Sequence, residues 1–176
     1  MKIGIFCSAN DTIDPDFFRL TDELGTWIGT HGHSIVFGGC NLGLMACIAR
    51  STHAAGGRTI GVVPEIIEKN GQVSDDVDVN VACADLTDRK ALIMAQADVF
   101  VALPGGIGTL DEIFTVTAAH TIGYHRKRMV LYNMKGFWNA TIAMLDDMQE
   151  RGLIRGKWSE FIAVANTLDE VIAALH

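Results

Sequence analysis

Residues 104–112 carry the side chains best suited to chemistry. They read Pro-Gly-Gly-Ile-Gly-Thr-Leu-Asp-Glu and follow residues 99–103, a short apolar run typical of a strand buried on both faces. The glycines allow a sharp turn and a close approach of backbone to a ligand, and a helix is predicted to begin at Thr109. Free N–H groups and the helix dipole favour a phosphate there without any lysine. The glycines are Gly105, Gly106 and Gly108.

Glu112 has two interpretations on this pattern. Thr109 and Glu112 have the Thr-x-x-Glu spacing of a capping box, in which Thr109 caps the helix and Glu112 accepts a hydrogen bond from the Thr109 N–H. Such boxes are common helix starts, so spacing alone favours a capping role. A functional carboxylate beside the phosphate turn is the alternative.

Arg89 is a second candidate for ligand contact. Thr87 is predicted to cap the helix that continues through residues 91–95, which places Arg89 in its first turn. A cation is unfavourable there, next to the positive end of the dipole, unless an anion compensates it.

These residues must be positioned by strands and helices that alternate along the chain. Asp14, followed by proline, predicts a capped helix that ends near Gly32. This alternation predicts a single-domain, doubly wound, Rossmann-like parallel sheet with helices on both faces. The predicted strands are residues 2–7, 34–37, 58–63, 77–84, 99–103, 129–133 and 161–165. The later helices are residues 109–122, 137–151 and 167–175, and residues 65–71 are a short irregular or helical segment.

A second glycine turn follows the strand at residues 34–37. Residues 38–45 repeat the order of strand, glycine turn and helix, and the helix is predicted to reach about Gly56. Two such turns on neighbouring crossovers indicate a shared crevice at the carboxyl ends of the strands.

Composition limits the class of protein and its partners. The 176 residues, 49% of them hydrophobic, are enough for one well-buried core, so we expect one domain over residues 1–176. A net charge of -7 argues against a broad nucleic-acid surface. No apolar run approaches the roughly 18 residues of a membrane span, and no secretory leader precedes the first strand. We therefore expect no nucleic-acid or membrane partner.

The cysteines indicate a reduced, cytoplasmic protein. They form no C-x-x-C pair, so we expect small buried thiols and no metal site. The four are Cys7, Cys40, Cys47 and Cys83.

The motifs resemble those of the LONELY GUY family of cytokinin riboside 5'-monophosphate phosphoribohydrolases, also known as possible lysine decarboxylases. Residues 104–112 match the family's P-G-G-x-G-T-x-x-E at every fixed position. Residues 86–90 resemble M-H-x-R-K without its Met-His, and residues 38–46 resemble G-G-G-x-x-G-L-M-G with two glycines replaced. The departures from the family pattern are Cys40 and Ala46 in that turn, and Thr115, Ala119 and Thr121 after Glu112.

The resemblance implies hydrolysis of the N-glycosidic bond of a nucleoside 5'-monophosphate, such as AMP or a cytokinin riboside monophosphate, to free base and ribose 5-phosphate. It makes Glu112 and Arg89 the catalytic residues, and it favours a catalytic Glu112 over a purely capping one. No cofactor is expected, because no lysine is singled out as the Schiff-base partner that pyridoxal phosphate needs. The implied substrate-binding residues are Gly105, Gly106, Gly108, Thr109, Gly39, Met45, Lys90 and Ser8.

Other functions and assemblies stay open. A non-catalytic nucleotide-binding or cofactor-carrier protein would keep the same phosphate loop, and Cys40, Thr115 and Ala119 favour that alternative. A different transferase or hydrolase would fit the fold equally well. The helix at residues 109–122 is apolar on most of its circumference, which predicts either a homodimer interface, as the resemblance favours, or complete burial in the monomer.

Overall fold

Seven apolar segments pair into one parallel sheet. The computed structural model describes residues 1–64 and 73–176. In the order β4-β3-β2-β1-β5-β6-β7, every pair of neighbouring strands is parallel. The strands are β1 (Lys2–Phe6), β2 (Ser34–Phe37), β3 (Arg58–Pro64), β4 (Val79–Cys83), β5 (Val99–Ala102), β6 (Met129–Tyr132) and β7 (Ile162–Ala165). The predicted Rossmann-like sheet is confirmed, whereas the segment predicted at residues 65–71 lies outside the described residues.

Helices cover both faces of the sheet because each buries one apolar side against it. One core cluster includes Leu24 of α1 and Ile48 of α2, and the other includes Ile93 of α3 and Ile113 of α4. In the described ranges the helices are α1 (Pro15–Thr30), α2 (Gly43–Ala54), α3 (Leu86–Gln96), α4 (Ile107–Thr121), α5 (Asn139–Glu150) and α6 (Leu168–Ala174). Short 3-10 turns occupy Met134–Gly136 and Trp158–Glu160. None of the helices described is long and apolar enough to cross a membrane.

Strand β1 stands where the strand order reverses. The chain moves from β1 outward through β2, β3 and β4, and then returns to place β5 on the other side of β1. Ligands of open α/β sheets bind in the crevice at such a switch point, outside the carboxyl ends of the strands. Here Ser8 follows β1 and Pro104 follows β5, and the Ser8 N–H donates to the Pro104 carbonyl at 3.0 Å.

The cap of α3 differs from the sequence prediction. Asp85, not Thr87, is the N-cap residue, and its carboxylate accepts hydrogen bonds from the N–H groups of Thr87 and Asp88, both at 2.8 Å. A carboxylate is favoured there by the helix dipole and accepts two donors at once, which a threonine hydroxyl does less well. Arg89 remains near the helix start, as predicted.

Candidate active site

The N-terminus of α4 is open to an incoming anion. Its N-cap residue is Gly106, which has no side chain to accept a hydrogen bond from the N–H groups of the first turn. The predicted capping box is therefore wrong: Thr109 and Glu112 lie inside the first two turns, because the chain enters the helix two residues earlier than expected. The N–H groups of the first turn keep their donor capacity, which is the usual basis of phosphate binding at a helix start.

Gly105 has a different role from the other glycines of the loop. A Cβ atom at Gly105 would lie 2.1 Å from Thr109 Oγ1 and 2.6 Å from Thr109 Cβ, so only glycine leaves room for this side chain. A Cβ atom at Gly106 or Gly108 would meet nothing within 4 Å. These two glycines are open to the space in front of the helix, whereas Gly105 serves internal packing.

A cavity of about 370 Å³ lies in front of this helix start. It brings together most of the site residues expected from the sequence, contributed by the β1 loop, α2, α3 and α4. They are Ser8, Met45, Arg89, Gly106, Gly108, Thr109 and Glu112. Residues that sequence reasoning did not select complete the lining: Cys7, Ala9 and Asn10.

Three expected site residues lie elsewhere. Gly39 does not line the cavity, and its carbonyl accepts from the Ser74 N–H at 2.9 Å. Lys90 Nζ donates to both carboxylate oxygens of Asp111, at 2.9 and 2.7 Å, outside the cavity. Gly105 lines a smaller neighbouring cavity instead.

The second glycine turn does not form a second anion site. The Gly43 N–H at the start of α2 donates to Asp11 Oδ1 at 2.8 Å, and the Leu44 N–H donates to the Ser8 carbonyl at 2.9 Å. The β1 loop thus occupies the helix start that the sequence pattern left free. Of the two helices that follow the glycine turns, α4 is therefore the better candidate for an anion site.

Arg89 and Glu112 face each other inside the cavity. Arg89 Nη2 lies 3.9 Å from Glu112 Oε1, and the two side chains are only 15% and 9% exposed. Burial raises the pKa of Glu112 from 4.5 to about 7, and the nearby Arg89 charge opposes that rise. A carboxyl group whose pKa is about 7 is suited to proton transfer near neutral pH. Arg89 Nε is buried without a hydrogen-bond partner among the described residues, so it retains a donor for a ligand.

Gly38 leaves the space that the Arg89 guanidinium occupies. A Cβ atom at Gly38, which follows β2, would lie 1.6 Å from Arg89 Nη2 and 2.7 Å from Cζ. Any larger residue would displace the guanidinium from Glu112. The only sequence signal for this role is the pair of glycines that follows β2, and the pattern predicted a turn there and no contact with Arg89.

Cys7 lies in the cavity wall as a protonated thiol. Burial, reinforced by the Glu112 carboxylate, raises the pKa of Cys7 well above its usual value. A thiol in this state is a weak nucleophile. Within residues 1–64 and 73–176, no three His, Cys, Asp or Glu side chains group as a metal site requires.

Comparison with known proteins links this geometry to named activities. Residues 45–175 match the family model described as possible lysine decarboxylase. A cytokinin riboside 5'-monophosphate phosphoribohydrolase of Arabidopsis thaliana is 30% identical over 175 residues, which cover 99% of this chain and 81% of the relative. An enzyme of the same name from Mycobacterium marinum is 28% identical over 172 residues, covering 98% and 91%.

A solved structure with the same fold carries a different name. The molybdenum cofactor carrier protein of Chlamydomonas reinhardtii matches with a TM-score of 0.76 at 26% identity, covering 99% of this chain and 94% of the carrier.

Proposed function

This chain belongs to the family described as possible lysine decarboxylase, and we propose that it hydrolyses the N-glycosidic bond of a nucleoside 5'-monophosphate. The products are a free base and ribose 5-phosphate. One observation carries the proposal: a buried carboxylate, Glu112, and a largely enclosed guanidinium, Arg89, share one cavity with the uncapped start of α4. The names of the Arabidopsis and Mycobacterium relatives support the same reaction.

The 5'-phosphate would bind at the start of α4. Gly106, Gly108 and Thr109 line the cavity there, and free N–H groups with the positive end of the dipole stabilise an anion. The phosphate would act as a handle remote from the reacting bond, whose binding energy orients the ribose toward Glu112. Ser8 and Met45, on the facing walls, would hold the rest of the nucleotide.

Glu112 and Arg89 would divide the chemistry between them. As the C1'–N bond breaks, the ribose becomes positively charged and the base takes the electron pair. Ionised Glu112 would stabilise that positive charge and accept a proton from the water that attacks C1'. Arg89 would stabilise the electron-rich base until it takes up a proton. The water oxygen remains on C1' as a hydroxyl. Glu112 releases the proton that it accepted as the base takes one up, which restores the charge of both groups.

Lysine decarboxylation fits this cavity poorly. That chemistry uses pyridoxal phosphate, which needs a lysine for its Schiff base and a partner for its pyridinium nitrogen. Among the described residues no lysine lines the cavity, and the nearby Lys90 is bound to Asp111. No step of the proposed reaction depends on this cofactor.

A cofactor carrier is the second candidate. The Chlamydomonas carrier shares the fold over nearly the whole chain at 26% identity. The departures that favour this candidate, Cys40, Thr115 and Ala119, do not line the cavity that holds Arg89 and Glu112. Base release from a nucleotide separates the two candidates.

The decisive experiment is incubation with a panel of nucleoside 5'-monophosphates and the matching nucleosides, with chromatography of the released base. We expect release from at least one monophosphate and far slower release from its nucleoside, because the nucleoside lacks the group that binds at α4. Equal kcat/KM for both would contradict the phosphate assignment. Binding without any release would favour the carrier.

A further inference from the structure

A second cavity adjoins the glycine loop at residues 104–106. It measures about 240 Å³. Ser8, Asn10 and Gly106 line both this cavity and the larger one, so the two meet at the start of α4. Arg89 and Glu112 line the larger cavity and not the smaller one.

The walls of the smaller cavity are apolar and aromatic. Its described lining contains no charged side chain, and its side walls are Ile13, Phe17, Pro104 and Phe137. The Phe17 and Phe137 rings pack edge to face with centroids 5.7 Å apart, and Phe137 remains 41% exposed. An apolar wall with a few polar groups at its border is typical of a small-molecule site.

An ion-pair clamp holds these walls in place. Lys135 Nζ binds Asp14 Oδ2 at 2.7 Å and Asp16 Oδ2 at 2.8 Å, which ties the segment that carries Phe137 to the helix that carries Phe17. Lys135 adopts a φ of 53°, a left-handed conformation that is unfavourable for a lysine. Backbone held in such a conformation by its surroundings occurs preferentially at ligand clamps.

We propose that the smaller cavity binds an uncharged aromatic or aliphatic group joined to the ligand's phosphate through an ester bond. This inference rests on the proposed function, because that function places the phosphate at α4 and the ribose beside Glu112. Gly106 at the helix start lines both cavities, so a substituent on a phosphate oxygen bound there would enter the smaller one. The ligand class is thus extended from monophosphates to 5'-phosphodiesters. The ester bond stays intact while the C1'–N bond breaks as before.

The test compares two esters of AMP, the phenyl and the methyl ester, by calorimetry in a Glu112→Gln background that blocks turnover. Both esters carry one negative charge, so their comparison isolates the apolar contact. We expect the phenyl ester to bind about tenfold more tightly, as partial burial of one ring predicts. Phe17→Ala and Phe137→Ala should remove that preference, and Tyr124→Ala, which removes an exposed ring that lines neither cavity, should keep it.

Equal affinity for the two esters would overturn the proposal. So would an equal loss of AMP and phenyl-ester affinity in Phe137→Ala, because the cavity would then hold the nucleotide's own base. If Phe17→Ala unfolds, Phe137→Ala carries the test, since its ring is partly exposed. Base release from AMP is measured separately on the unaltered protein. Its absence would contradict the proposed hydrolysis and leave the ester comparison valid.

Discussion

Arg89 Nη2 and Glu112 Oε1 lie 3.9 Å apart, which is too far for a hydrogen bond and close enough for strong attraction between two charges that are largely shielded from solvent. Burial still dominates, since the pKa of Glu112 rises to about 7 despite this neighbour. The carboxylate therefore changes charge in the range where most enzymes work. A positive ribose beside it would favour the ionised form.

Replacing Glu112 with glutamine should reduce base release by at least about 100-fold, because an amide cannot offset a positively charged ribose. Circular dichroism should show an unchanged fold. Asp111→Asn is the matched control: it neutralises the adjacent, exposed carboxylate, which binds Lys90 outside the cavity, and should keep turnover within a few-fold. Normal turnover in Glu112→Gln would remove Glu112 from the mechanism.

The same substitution should change how stability depends on pH. Because the pKa of Glu112 is higher in the folded chain than its ordinary value of 4.5, its contribution to stability is fully present below about pH 4.5 and is lost as the pH rises from there to about 7. Between these two pH values, the free energy of unfolding of the wild type, relative to Glu112→Gln, should fall by about 3 kcal/mol, because each unit of pKa shift corresponds to about 1.36 kcal/mol.

Urea denaturation of both proteins at several pH values measures this difference. In a plot of the free energy of unfolding against pH, loss of the attraction to Arg89 changes the constant difference between the two proteins. The ionisation of Glu112 changes how that difference varies with pH. A difference that stays constant from acid to alkaline pH would contradict the burial of an ionisable Glu112.

Much of the fold was predictable because its signals are local. The Asp14 cap is one example: it was expected from the Asp-Pro pair and accepts from the Asp16 N–H at 2.9 Å. The parallel direction of the strands was also expected, because apolar strands alternate with helices along the chain. The failures came at helix starts with competing signals, where Asp85 replaced Thr87 and Gly106 replaced Thr109.

Seven of the ten candidate site residues line one cavity, whereas their contacts with the rest of the chain were less predictable. The glycine turn at residues 38–45 has the local pattern of an anion site, yet Asp11, 32 residues away, occupies its helix start. Contact across such a distance depends on how the crossovers pack, which local spacing does not encode. The closeness of Gly38 to Arg89 arises in the same way, since β2 and α3 meet only in the folded sheet.

Gly38→Ala should therefore lower activity through Arg89, although residue 38 itself does not line the cavity. The added Cβ would displace the Arg89 guanidinium, and a misplaced catalytic group lowers kcat/KM by on the order of 10- to 100-fold. Because Arg89 lowers the pKa of Glu112, the pH of half-maximal activity should also move above about 7. Adding Gly38→Ala to Arg89→Met should have no further effect if Gly38 acts through Arg89. Normal kcat/KM in Gly38→Ala would show that Arg89 need not occupy this position.

The last prediction concerns assembly along α4. Phe114 and Thr117 of this helix line an apolar groove of about 270 Å³ whose opposite wall includes Leu145 and Trp158, and Ile122 at the helix end is 71% exposed. This apolar surface favours a homodimer in which the partner chain covers α4 and helps to enclose the substrate. Phe114→Asp would place a charge in that interface. Sedimentation should then show single chains of 19.1 kDa, and the turnover rate should fall as the dimer is lost.

Tyr124→Asp, an equally large change at an exposed ring outside the groove, is the control and should leave the sedimenting mass and the turnover rate unchanged. A wild-type chain that sediments as a monomer at micromolar concentration while fully active would rule out this coupling.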